Sequence, residues 1–369
     1  MVPVTTQERC ELGSWSGAWD ALAAQADPPS PFSRAWWLER LPESERLFVL
    51  VLDGDTLLGG VALRSDRLLG VRRLRMLGNG VLCGDHLDAV HDRARRASVV
   101  RELSEWFAAA GPVLLDLTGL VAHSLVADAV GRTSRPIDVA PYGMVAPTPP
   151  GPYLASRSRN LRRSVGRAQR HLADEGYLRQ QLAPERVHDA IAWFDQLQRP
   201  RPDRAPLLAA WRELDVALTA GLEAGDIRLD VLRRGDDLPV ALCVAFWVER
   251  RLSLYQVARS LAPEHRDVAT VLMVEVIEDA VRQGAVEIDL LRGNEPYKSR
   301  LVDDSRTLHR VQRAHGTIPR VLMALLRAAA GSRALVAHAS RASHELRSAV
   351  TEAVSAKRNA PADRGGQGS

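Results

Sequence analysis

Glu275-Val-Ile-Glu-Asp-Ala-Val-Arg-Gln-Gly-Ala-Val-Glu-Ile-Asp-Leu290 is the stretch that decides the fold. It reads as a helix that ends near Gly284, where a left-handed C-cap favours glycine, followed by a short buried strand. A near copy stands earlier, Glu102-Leu-Ser-Glu-Trp-Phe-Ala-Ala-Ala-Gly-Pro-Val-Leu-Leu-Asp-Leu117. At one constant offset Glu, Glu, Gly, Val, Asp and Leu coincide, pairing Glu102 with Glu275 and Asp116 with Asp289. Upstream of each copy lies a hairpin pattern of two apolar runs around a Gly/Asp turn. These are Leu47 to Leu63, turning at Asp53-Gly54, and Ile227 to Val244, turning at Gly235-Asp236. Two repeated units in the same order predict a duplicated α/β (α+β) fold in tandem, each half a mixed twisted sheet flanked by helices.

The divisions expected from this pattern are residues 1–150, residues 151–316 and a basic helical tail over 317–369. The joint between the halves is the proline-rich Ala140 to Pro152, which reads as a stiff spacer. After it, Ser158 to Leu172 places Leu161, Val165, Ala168 and Leu172 on one helical face and Arg159, Arg163, Arg167 and Arg170 on another. That arginine face is either a solvated surface or a strip for the phosphates of a CoA, a nucleotide or a tRNA. The tail opens with an expected helix from Ile318 to Ala330, which either packs on the body or rests on an anionic membrane. Beyond about Ala353 it is expected to fray.

The 369 residues, 46% hydrophobic and 25% charged, describe an ordinary globular chain. From Ile318 onward eight basic residues face three acidic ones, a net +5, so residues 1–317 carry −1 of the overall +4. The basic balance therefore belongs to the tail and does not make the body a nucleic-acid binder. No apolar run is long enough to span a bilayer. The isolated cysteines Cys10, Cys83 and Cys243 form neither a disulfide framework nor a metal motif, and no secretory pattern opens the chain. A cytoplasmic setting is expected.

Several chemistries lack their signatures: there is no P-loop, no H-E-x-x-H and no G-x-S-x-G. His309 and His315 read as structural or exposed, and no metal site is expected. Gly78-Asn-Gly-Val-Leu-Cys-Gly84 misses the dinucleotide spacing by one and reads as a surface loop. What remains is Ile288-Asp-Leu-Leu-Arg-Gly-Asn-Glu-Pro-Tyr-Lys-Ser-Arg300. Here a strand opens into a loop bearing polar groups, a common place for function. Only two lysines occur, Lys298 and Lys357. The first half shares Asp116-Leu117 but has no Tyr-Lys, so one half is expected to be active and the other to shape the cleft.

Asp289 to Lys298, behind a helix ending at Gly284, resembles the signature of CelD-type acetyltransferase-like proteins of the GNAT superfamily. Pro31-Phe-Ser-Arg-Ala-Trp-Trp-Leu38, the first hairpin and Leu154 to Gly176 are similar to the same family, which in turn resembles the Fem-type aminoacyl transferases. The resemblance implies tandem GNAT-like domains and acyl transfer, from acetyl-CoA or another acyl-CoA, to an amine of a small molecule or saccharide. It implies catalytic parts for Lys298 (oxyanion or phosphate stabilisation), Tyr297 (proton for the leaving group), and Asp289 or Glu295 (accepting the amine proton or orienting Lys298). Donor contacts fall on Arg266, Ala269, Thr270, Arg292, Gly293 and Asn294. Tyr255 and Gln256 line the acceptor side, with a core role for Tyr255 equally open. Where GNAT enzymes carry glycine at the phosphate-binding helix start, this chain has Ala269, whose Cβ hinders backbone approach. An aminoacyl-tRNA donor, or a catalytically silent role in surface-polysaccharide assembly, therefore stays open.

Overall fold

The computed structural model describes residues 4–82, 84–131, 134–146, 151–211 and 214–329. Residues up to Arg313 form one compact unit and those from Ala314 a second. The expected fraying beyond Ala353, like the proline-rich stretch over 147–150, lies outside the described residues.

The first hairpin forms as its apolar runs predict, β2 (Arg46–Asp53) and β3 (Thr56–Leu68), with Gly54 in the left-handed region at the turn. β1 (Val4–Arg9) pairs antiparallel with β2, and β4 (Val71–Met76) with β3. The two-residue β5 (Val90–His91) adds to β3. The helix Arg96–Ala109 buries Val99, Leu103 and Phe107, and Gly111 at φ +68° turns the chain into β6 (Val113–Leu120), parallel to β4. The second half repeats the plan. β8 (Tyr177–Gln181) and β9 (Ile227–Arg234) pair antiparallel, and β9 pairs in the same sense with β10 (Ala241–Val248). β11 (Arg251–Arg259) follows; then come the helix Val268–Arg282, Gly284 at φ +87°, and β12 (Glu287–Asp289), parallel to β11.

The last strand of each half is placed in a way the sequence does not announce. β7 (Arg135–Met144) pairs antiparallel with β12 of the second half, and β13 (Asp304–His315) lies between β7 and β6 of the first. The sheet order β1-β2-β3-β4-β6-β13-β7-β12-β11-β10-β9-β8 is thus symmetric about the β13–β7 pair. One sheet runs through both halves, and the duplication is legible in it strand by strand. The proline-rich joint is corrected in part: Ala140 to Met144 belong to β7. Pro141 offers no N–H, but its carbonyl accepts from Leu290 N–H at 2.9 Å, so mid-sheet the strand is used as an acceptor.

The core welds the halves. Phe32, Trp37, Phe246 and Tyr255 stack edge-on or tilted with centroids 4.9–5.8 Å apart, an arrangement worth about 0.5–1.5 kcal/mol per pair beyond burial. Beside them Asp226 accepts from Arg34 Nε at 2.9 Å and Trp36 Nε1 at 2.8 Å. The segment Pro31 to Leu38 is therefore a plug between the halves. On the other face, Leu161, Val165 and Leu172 of the helix Arg159–Asp174 are buried as their spacing predicts.

Candidate functional site

β11 and β12 are in register over only three residues, Arg251–Ser253 against Glu287–Asp289, and then separate. Two local features part them. Between Val244 and Ala245 the β10–β11 register slips, so Tyr255 is an extra residue that bends β11. Beyond Asp289 the chain leans instead onto β7, Leu290 N–H bonding Pro141 O and Gly293 N–H bonding Val139 O, both at 2.9 Å. The gap is a cleft of about 270 Å³ lined by residues 254–257 and 290–293 with Asp85, Arg204, Met273, Glu295, Tyr297 and Lys298.

The floor of the cleft is a clamped loop. Leu291 sits at φ +56° and Gly293 at φ +113°, so the carbonyls of 291–293 turn toward one point. Lys298 occupies that point, its Nζ 3.1 Å from Leu291 O, 2.6 Å from Arg292 O, 3.4 Å from Gly293 O and 3.0 Å from Glu295 Oε2. An ammonium has three protons to donate, and this one is 3% exposed. Its chief work is therefore to hold a left-handed loop together. Lys298, expected as an oxyanion or phosphate stabiliser, has its amino group engaged by these protein acceptors.

The first half supplies the other clamp. Asp85 accepts from Arg292 N–H at 2.6 Å and Arg292 Nε at 2.7 Å, and Gly84 O accepts from Arg292 Nη2 at 2.8 Å. Burial pushes the Asp85 carboxyl up, against the pull of Arg292 and His86. The glycine-bearing loop, expected at the surface, is exposed at Gly80 and Val81 and turns inward at Gly84, beside Asp85. Gly84 is buried, and a Cβ there would collide with the Gly78 carbonyl.

Asp289 lies behind this floor and does not line the cleft. It is fully buried, accepts from Leu291 N–H at 2.8 Å, and pairs with His86 Nε2 and Arg251 Nη2, each at 2.9 Å. Arg251 also meets Glu287 at 2.6 Å, and Arg306 grips Glu287 through two 2.6 Å bonds. Burial alone would raise the Asp289 carboxyl, but Arg251 and His86 outweigh it and hold the group far below the usual carboxylate range. Expected as a proton acceptor, Asp289 is engaged by Arg251, His86 and Leu291 N–H and is absent from the lining of the cleft. Its counterpart in the repeat, Asp116, likewise takes an arginine in a two-point grip, Arg310 at 2.6 and 2.7 Å.

Glu295 and Tyr297 stand at the mouth. Burial, helped by the Glu295 charge, pushes the Tyr297 phenol up to about 12, although 41% of the residue is exposed. Gln256 lines the cleft half-buried, and Asn294 is exposed and outside it. Tyr255 reaches the lining too, but its hydroxyl donates to Leu82 O at 2.9 Å within the aromatic cluster. Of the two expectations for Tyr255, the core one describes its side chain.

The donor residues expected further on fall elsewhere. Arg266 lines a separate cavity of about 450 Å³ with Ser164, Arg167, His171, Glu264 and Asp267. It adjoins the start of the helix Val268–Arg282, where Asp267 makes no side-chain cap to the first turn. Ala269 and Thr270, in that turn, are half-buried and line neither cavity. Arg163, Arg167 and Arg170 edge an open groove of about 830 Å³ along the arginine helix. Sequence reasoning missed Asp85, His86, Arg204 and Arg251. Only the tertiary fold brings them to the loop, and no motif surrounds them.

Residues 159–299 match the family model of the acetyltransferase (GNAT) domain, and this stretch supplies most of the lining of the cleft. The chain matches no curated protein. Among solved structures it is similar to the C-terminal domain (DUF2156) of a putative lysylphosphatidylglycerol synthetase from Agrobacterium fabrum. That likeness is at 12% identity and TM-score 0.55, over 84% of this chain and 95% of that one. It is similar to FemX at 10% identity and TM-score 0.56, over 80% and 95%. It is also similar to L-PGS from Bacillus licheniformis at 11% identity and TM-score 0.50, over 79% and 91%. At such identities the likeness establishes a shared fold and no more.

Proposed function

We propose that the protein is an N-acyltransferase whose reaction takes place in the cleft between the parted ends of β11 and β12, with an acyl-CoA as donor and an amine as acceptor. One observation carries the reading. The two strands separate after three paired residues, and the opening is lined by a protonated phenol and a carboxylate beside a rigid loop. Acyl transfer needs a neutral amine to attack the acyl carbon, the bond from that carbon to the leaving sulfur to break, and a proton for the sulfur. Tyr297 lines the cleft and is the phenol placed to give it, burial holding its proton more tightly than that of an ordinary phenol. Glu295 is the cleft carboxylate open to solvent and suited to take the amine proton, Lys298 balancing its charge. The Tyr297-Lys298 stretch is also where the chain most resembles CelD-type proteins.

For the donor's phosphates the residues fit through arginine rather than through a glycine cradle. The first turn of the helix Val268–Arg282 is uncapped by the side chain before it, and Arg167 and Arg266 flank the adjoining cavity. Ala269 places a Cβ in that turn, and Glu264 and Asp267 add negative charge. The same arginines support a second reading, an aminoacyl-tRNA donor, since the groove along Arg163, Arg167 and Arg170 is wide and open.

Isothermal titration with acetyl-CoA, CoA and a charged tRNA distinguishes these readings. Micromolar binding of acetyl-CoA with transfer to a screened amine supports the first. Binding of charged tRNA alone, weakening steeply with salt, selects the second. Binding of none overturns transfer from either donor.

A further inference from the structure

The second compact unit holds a helix over 317–329 that exposes a row of apolar side chains. Ile318, Val321 and Leu325, spaced i, i+3, i+7, are 72%, 55% and 62% exposed, and Leu326 beside them 40%. Among the described residues thirteen large apolar side chains stand exposed, and four of them are on this one helix. The adjacent side is already used, for Leu322 and Met323 are buried. A contiguous apolar stripe left in water beside a satisfied one marks a surface that meets something.

Charge says what. Arg320 and Arg327, one heptad apart, are exposed on the remaining side and make no ion pair among the described residues. The sequence from Ile318 to the end carries eight basic residues against three acidic ones, while residues 1–317 are near neutral. An apolar stripe on a helix whose opposite side carries arginines, in a basic segment, suits the boundary of an anionic bilayer. There the apolar side chains enter the acyl region and the arginines reach back to lipid phosphates. Among the described residues no helix is long and apolar enough to cross a membrane, so such a contact would lie in the surface plane.

We propose that this helix docks the protein on an anionic lipid surface. The proposal is independent of the reaction assigned to the cleft. It is tested by sedimenting the full chain with vesicles of equal parts phosphatidylglycerol and phosphatidylcholine, and with phosphatidylcholine alone, in low salt and at about 0.5 M salt. Binding is expected to the anionic vesicles, reduced by salt. It should weaken about tenfold or more in Val321→Ser/Leu325→Ser and again in Arg320→Glu/Arg327→Glu, each variant keeping the wild-type circular dichroism. No sedimentation, or equal sedimentation with both vesicle types, overturns the proposal. So does a concentration-dependent dimer by light scattering that the Val321→Ser/Leu325→Ser variant abolishes, which would assign the stripe to a second copy of this chain.

Discussion

His86, from the first half, and Asp289, from the second, are 203 positions apart and meet at 2.9 Å with neither side chain exposed to solvent by more than 2%. Together with Asp85 and Arg292, this pair makes the first half the mould in which the cleft loop of the second half is cast. The Tyr-Lys segment has no counterpart in the first half, yet its geometry depends on that half.

Asp289→Asn should destabilise the protein by about 3–5 kcal/mol at neutral pH, because Arg251 is left buried with half its compensation. Urea denaturation measures this. A loss below about 1 kcal/mol would mean that Glu287 alone satisfies Arg251.

The same carboxylate sets an acid dependence. Its folded-state pKa lies below its unfolded value, so the stability it contributes is full above the ordinary carboxylate range and is lost as pH falls below about 4. Between pH 5 and pH 2, on the order of the usual acid window, wild-type stability should fall more steeply than that of Asp289→Asn. Parallel slopes in the two proteins would contradict the assignment.

Lys298→Ala removes the cation that ties three carbonyls and Glu295 together. A stability loss of about 2–3 kcal/mol is expected, with faster amide exchange over residues 290–295. If Lys298 acted only on substrate, the substituted protein would be as stable and as protected as wild type.

Tyr297→Phe leaves the fold intact, since the residue is at the mouth, but withdraws the proton donor. Under the acyltransferase reading, kcat should fall about 10²-fold or more with KM little changed. An unchanged kcat would take the phenol out of the chemistry.

Gly84→Ala should cost about 1–3 kcal/mol, because the added methyl meets the Gly78 carbonyl. Thermal denaturation checks it. Gly80→Ala at φ +131°, with open space around the position, separates backbone strain from collision.

Whatever depends on neighbours along the chain was legible in the residues alone. Apolar runs around Gly54 and Gly235 make hairpins, Gly111 and Gly284 end helices, and the matching of Glu102–Leu117 with Glu275–Leu290 declares the duplication. The sequence also singled out Glu295, Tyr297 and Lys298, and all three line one cleft. What it could not give is the partner of each charge. Lys298 is cationic on any reading, and only the convergence of three carbonyls on it makes it a clamp. Asp289 could be a base until Arg251 and His86 are found beside it. The exchange of β7 and β13 between the halves, and the grip of Gly84 and Asp85 on Arg292, likewise come from the tertiary structure. Strand pairing and ion pairing over more than a hundred residues depend on which surfaces the whole chain buries together, and local spacing carries no record of that.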